Sequence, residues 1–272
     1  MATFTAGLNH NPITSPAAMP KDAVSSTGNL GVYTIDTLQR HLFGTRYITW
    51  DGRVYKYAKA GATQIPAVGS ESYVAQALAY TTVASSTAIG AKKLIVDVAA
   101  SDGPAADGLV LKDHFQGGYM IIGPGSNNCM NRLIEGNTAV ASGGGECTFE
   151  LDAPLNIATV VDVTAAEAMA SPYADVRTGA SEYRAIVGIP VAPATVSTYC
   201  WLQTWGPIWV SPQAAVGAGS HDLQAVFRHD GSLDEHDYSD SYTAKQQHAG
   251  FILSHATAET QGAPFLMLQI SI

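Results

Sequence analysis

Charge is what this chain lacks most. Its 272 residues include 14 Lys and Arg and 23 Asp and Glu, 37 charges in all, where an average soluble protein carries roughly a quarter of its residues as charges, about 68 at this length. A long charged helix or coiled coil is excluded, because such elements are built from Ala, Glu, Lys, Leu and Arg. Basic residues are few and unclustered. With a net charge of −9 and a pI near 5.2, no groove for phosphates is expected and no nucleic-acid partner. Cysteine is rare as well. Cys129, Cys147 and Cys200 are odd in number, widely spaced and without a C-x-x-C pair, which favours free buried thiols in a reducing compartment over disulfides or zinc. Long apolar runs are missing too: no stretch reaches 18 apolar residues and no basic segment precedes an apolar one at the start. Neither a transmembrane helix nor a signal peptide is expected, and no membrane partner.

Turn formers are abundant. Gly (26) and Pro (13) together make about one residue in seven and are scattered along the chain. Between them lie short apolar or β-branched runs at 73–82, 92–98, 109–113, 119–122, 132–135, 147–151, 158–163, 183–191, 198–205, 208–210, 247–255 and 264–272. This spacing predicts an all-β protein with a sandwich-like or barrel-like body. The sharpest local signal is Asp51-Gly52 between Thr45–Trp50 and Arg53–Ala58, which predicts a two-residue type I′ hairpin. In that register Trp50 faces Arg53, Ile48 faces Tyr55 and Arg46 faces Tyr57, with the aromatic side buried. Helix is scarce: the best candidate is the capping box at Thr164-Ala165-Ala166-Glu167, ending before Pro172.

The length admits one large or two modest domains. Residues 1–40 contain four formal charges and Pro12, Pro16 and Pro20. They are too poor in charge for a solvated tail and too rich in Pro and Gly to form a core, so an extended arm is expected. Leu8, Ile13, Met19 and Leu30 would fill pockets on a neighbouring subunit. The main β domain is expected at 41–84 and 161–272, with a β lobe inserted at 85–160.

No catalytic motif stands out. Gly123-Pro124-Gly125-Ser126-Asn127-Asn128 lacks the third glycine of a dinucleotide loop, and there is no phosphate loop, nucleophile elbow or His-Glu-x-x-His. No catalytic residue, cofactor or metal is assigned. The richest cluster of titratable groups is His221-Asp222 and Arg228 to Asp240. Its spacing matches neither an EF-hand nor a compact zinc site, and a solvated acidic loop explains it. A metal-dependent hydrolase would use His229, Asp230, Asp234 and His236. Trp201, Trp205 and Trp209 recur every four residues in a β-rich segment interrupted by Gly206-Pro207. On a strand Trp201, Gln203 and Trp205 share a face, which suits core or subunit packing or a carbohydrate platform in an adhesin.

The order of several segments resembles a known family. Gly44-Thr45-Arg46-Tyr47, then Asp51-Gly52-Arg53-Val54-Tyr55-Lys56-Tyr57-Ala58-Lys59-Ala60-Gly61-Ala62, Gly188-Ile189-Pro190-Val191, Tyr199 to Pro207 and Gly250-Phe251-Ile252-Leu253 are similar to segments of tailed-bacteriophage capsid decoration, or cement, proteins. The resemblance runs from about residue 40 to the C-terminus with gaps in the middle. It implies a virion structural protein, not an enzyme, assembled in the host cytoplasm and placed on the capsid exterior. The implied partners are the major capsid protein and other copies of the chain, as a homo-oligomer with a trimer favoured. The candidate interface residues are then Leu8, Ile13, Met19, Leu30, Trp201, Trp205 and Trp209.

Overall fold

The computed structural model describes residues 31–63, 65–72, 76–103, 105–123, 129–179, 184–212, 216–217, 223–236, 246–254 and 264–272. Every regular element among them is a β-strand, as the turn density predicts. The first three are β1 (Arg46–Ile48), β2 (Val54–Lys59) and β3 (Ser70–Ser72). Six follow: β4 (Gln76–Thr82), β5 (Lys93–Val98), β6 (Tyr119–Ile122), β7 (Met130–Asn137), β8 (Gly145–Leu151) and β9 (Ala165–Met169). The last seven are β10 (Val176–Thr178), β11 (Ile186–Pro190), β12 (Tyr199–Trp209), β13 (Gln224–Phe227), β14 (Leu233–Glu235), β15 (Gln247–Ser254) and β16 (Phe265–Gln269). They fall into two compact units, one of Met1–Tyr73 with Tyr173–Ile272 and one of Val74–Pro172.

The Val74–Pro172 unit is an antiparallel sheet in the order β4-β9-β6-β7-β8-β5. A bridge between Val83 and Val96 returns the last strand to the first, with Ala84 N donating to Ile95 O at 2.9 Å, so the barrel is nearly closed. Period-2 alternation aims Leu94, Val96 and Val98 inward from β5, and they are buried with Phe115, Phe149 and Leu151. The expected helix at Thr164 is strand β9 instead. Thr164 Oγ1 accepts from the upstream Val160 N at 2.9 Å, so it caps a turn and not a helix. Ala166 and Ala168, both fully buried, lie on a strand paired with β4 on one side and β6 on the other and join the core of this unit. Burial and pairing on both edges override helix propensity there. Two expected strands, 109–113 and 158–163, are turns touched by single bridges at Val110 and Thr159.

The other unit is a ten-stranded antiparallel sheet, β10-β3-β11-β12-β16-β15-β13-β14, with β2 also on β12 and β1 on β2. Its centre is β12. Tyr199 to Trp205 pair with β2, Leu202 and Gln203 with β11, and Trp205 to Trp209 with β16. The expected break at Gly206-Pro207 does not occur, and 198–205 and 208–210 are one eleven-residue strand. The strand bends there without ending. Gly206 takes φ 101°, and the fully buried Gln203 amide donates to Trp205 O (3.1 Å) and Pro207 O (3.0 Å). A Cβ at position 206 would lie 2.8 Å from Arg53 Cγ and 3.2 Å from Arg53 Cα.

The hairpin sits where Asp51-Gly52 places it, one residue out of the expected register. Arg46 pairs with Lys56, Tyr47 with Tyr55 and Ile48 with Val54. Only Gly52 has positive φ (86°), whereas a type I′ turn requires two such residues. The Asp51 carboxylate explains the difference: it accepts from Thr49 Oγ1, from Arg53 N and from Arg53 Nε, fixing a longer loop closed by Gly52 N to Thr49 O at 3.0 Å. A one-residue shift exchanges the faces of β1. Tyr55 and Tyr57 are buried as expected, but Trp50 projects from the tip at 97% exposure.

Gly206→Ala tests the bend. With positive φ and Arg53 in the way, the substitution is expected to cost at least about 1 kcal/mol, read as a lowered urea midpoint. An unchanged midpoint would show that β12 does not require the glycine.

Candidate functional surface

The three tryptophans of β12 occupy three environments. Trp201 is 2% exposed and packs with Val32, Tyr55 and Tyr57. Trp205 is half-buried, and Trp209 is 42% exposed. Gln203 is buried, with its amide hydrogens on the strand's own carbonyls. Two of the three residues of the proposed sugar platform are therefore closed to a ligand by the fold of the chain itself.

Trp201 is covered by the segment that precedes β1. Asp36 exchanges backbone bonds with Tyr199 (3.0 and 2.8 Å), Arg40 N donates to Tyr57 Oη at 3.0 Å, and Phe43 stacks on Tyr199. His41 lies edge-on to Tyr57 and tilted against Trp201, with ring centroids 5.1 and 5.3 Å away. A water-sized cavity of about 10 Å³ remains between Asp36, Arg40, His41 and the rings. Burial lowers the His41 pKa and raises that of Tyr57 to about 12. Asp36 is held below the carboxylate range by its bonds to Arg40 and Leu38 N.

On β12, β16 and β15 the alternate positions form a different surface. Register aligns Pro207, Met267 and Phe251 in one row and Trp209 with Phe265 in the next. Phe251, Phe265 and Leu253 are 41%, 41% and 48% exposed, while Leu266, Leu268 and Ile252 on the opposite side are core. None of the three strands contains Lys, Arg, Asp or Glu. Sheet faces left to solvent normally carry charge that blocks association, and this one does not. The sequence held a signal for it: Phe251-Ile252-Leu253 and Phe265-Leu266-Met267-Leu268 are apolar on both faces, the pattern of strands covered on both sides. The expectation of an interface at Trp201, Trp205 and Trp209 omitted these neighbours and included Trp201, which is buried within the chain. Leu8, Ile13, Met19 and Leu30 lie outside the described residues.

The acidic stretch is tied to its own turn. Asp230 Oδ1 accepts from Ser232 N (3.0 Å) and Oγ (2.6 Å), and Asp234 pairs with Arg228 at 3.0 Å. His221, Asp222 and residues 237–240 lie outside the described residues. Among the described residues no three His, Cys, Asp or Glu side chains are grouped to hold a metal. Cys147 and Cys200 are free and buried, and burial pushes the Cys200 thiol up to about 12. Cys129, expected to be buried, is exposed. A cleft of about 710 Å³ in the Val74–Pro172 unit is lined by charged and polar groups, in which Lys93 pairs with Glu150 at 2.9 Å and Lys112 lies 3.9 Å from Asp113. Comparison with known protein families, curated proteins and solved structures found no match.

Two measurements follow. Trp201→Ala removes a buried indole and is expected to cost about 3 to 5 kcal/mol, whereas Trp209→Ala should stay within about 1 kcal/mol in the isolated chain and act on association; equal losses would contradict the two environments. For pH, burial lowers the His41 and His114 pKa values below the 6.5 of a free imidazole. The unfolded chain then takes up protons first as pH falls through 6.5, so stability is full above that value and is lost below it. His41→Gln should flatten this dependence between pH 7 and 5 in urea titrations, and an unaltered slope would remove His41 as its source.

Proposed function

We propose that this chain is a viral structural protein, a decoration or cement protein on the outside of a tailed-phage head that bridges neighbouring major capsid subunits. The single observation that carries the reading is the uncharged apolar face of Trp209, Phe265, Phe251 and Leu253 on the ten-stranded sheet. Such a surface suits a permanent protein contact better than a small-molecule site. The resembling segments support it: Asp51 to Ala62 and Tyr199 to Pro207 contain the paired strands β2 and β12, so the resemblance lies on the framework that presents this face.

The physical logic of such a protein is mass action. A protein that binds only the assembled shell stabilises it by RT ln(1 + [L]/Kd) at each site, and the effect multiplies over many sites against the outward pressure of a packaged genome. A net charge of −9 keeps the protein off nucleic acid. In this reading the chain acts as a homo-oligomer, a trimer in the family it resembles, with residues 1–30 as a docking arm; the rest of the arm expected at 1–40 lies on the chain's own sheet, where Asp36 bonds to Tyr199 and Arg40 to Tyr57.

Cryo-electron microscopy of the intact particle tests the proposal. The expected result is density for this chain outside the head, between major capsid subunits, together with heads that rupture at lower temperature when the chain is missing. Density on the tail, or glycan binding by particles whose heads lack the chain, would replace it with the adhesin reading.

A further inference from the structure

The apolar face of β12, β16 and β15 lies beside the point where the described chain begins. Val32 is buried in the Trp201 cluster, and Tyr33 Oη accepts from Arg53 Nη1 at 3.0 Å. Arg53 in turn lies against Gly206, the residue before Pro207. The described chain therefore begins near the margin of this face. At about 3.3 Å per extended residue they reach about 100 Å, whereas three strands spaced about 4.8 Å apart are only about 10 Å across.

The distribution of residues in that segment decides where it can bind. Residues 1–20 contain no Lys, Arg, Asp or Glu, and Phe4, Leu8, Ile13 and Met19 are spaced along them. Between Met19 and the root stands a mostly polar stretch with Ser25, Ser26, Thr27, Gly28 and Asn29. This spacer spans about 30 Å when extended, more than the width of the face at its foot. A segment of this length has the reach to place its apolar residues on a neighbour's face. An uncharged segment interrupted by Pro12, Pro16 and Pro20 also matches a receptor face with no charge on its strands.

We propose that the outer face of β12, β16 and β15 is the receptor for residues 1–30 of a second copy of this chain, with Leu8, Ile13 and Met19 packing against Trp209, Phe251 and Phe265. The arm exchange links protomers through two surfaces, a segment and a sheet face, that every copy carries. The inference deepens the self-association within the function proposed above, and it requires no capsid.

The test uses the full-length chain alone, prepared in two isotopic forms, each with a photoreactive residue at Ile13, refolded together and irradiated. Cross-linked peptides are expected to join residues 1–30 to 205–209, 249–254 or 265–269 and to combine the two isotopic forms. Pairs of one isotopic form only, pairs to other strands, or a monomeric chain at micromolar concentration would overturn the proposal. In parallel, Phe265→Ser and deletion of residues 1–30 should each weaken self-association at least tenfold. Together they should weaken it no more than either alone, because both remove one contact. Independent, multiplying losses would show that segment and face do not meet. The cross-linking uses an unaltered face, so it stands even if Phe265→Ser does not fold.

Discussion

A buried amide holds β12 together. Gln203 donates to Trp205 O and Pro207 O, spanning the place where Gly206 turns to positive φ and Pro207 lacks a hydrogen-bond donor. An unpaired amide in that position would cost about 1 to 3 kcal/mol, so the contact specifies the bend as well as stabilising it. Everything in this unit is referred to that strand. β2 and its aromatic cluster lie on the first half, β16 on the second and β11 at the middle. The continuous strand thus carries Trp201 in the cluster sealed by the segment before β1 and Trp209 on an exposed face.

Few charges oblige the chain to use its carboxylates sparingly, and it uses them at turns. Asp36 accepts from Leu38 N, Asp102 from Ala99 N, Asp107 from Leu109 N, and Asp230 from Ser232 N. Asp51 does the same at the hairpin. Each carboxylate satisfies a loop donor that would otherwise need water, which is the physical reason turn-rich sequences favour Asp. The ion pairs Asp51–Arg53 and Asp175–Arg177 are likewise local, two residues apart. Charge fixes loop shape here, and the strands β12, β15 and β16 are left without it.

The same distinction separates what was legible in the sequence from what was not. Strand-forming runs and glycine turns are local signals, and they located the all-β fold and most strand positions. The Asp51-Gly52 hairpin was legible in place but not in register, because the Asp51 side-chain bonds select the longer loop. Thr164 to Glu167 reads as a helix start until Ala166 and Ala168 are seen between two barrel strands. Gly206-Pro207 reads as a break because the side chain that carries the strand across it, Gln203, has no local signature. The apolar face was only half legible: Trp209 announced itself, while Phe251 and Phe265 join it through pairing between β12, β16 and β15.

The two units also differ in the exposed apolar rows that they present. The barrel of Val74–Pro172 has an exposed apolar row of its own, Leu133, Tyr119 and Met169, aligned across β7, β6 and β9. Two residues along, the next row on that wall is Asn131, Ile121 and Glu167, so a carboxylate and an amide flank it and a partner would have to desolvate both. On β12, β16 and β15 the corresponding next row is Trp209, Phe265 and Ser254, two aromatic rings and one hydroxyl with no charge. Adding this row extends the area without adding a charge to desolvate, and it is the contiguous uncharged area that distinguishes the centre of an interface from ordinary surface. The low charge of the chain therefore acts differently in its two units: in the barrel it leaves a wall interrupted by a carboxylate and an amide, and on β12, β16 and β15 of the ten-stranded sheet it leaves a face with no charge to desolvate.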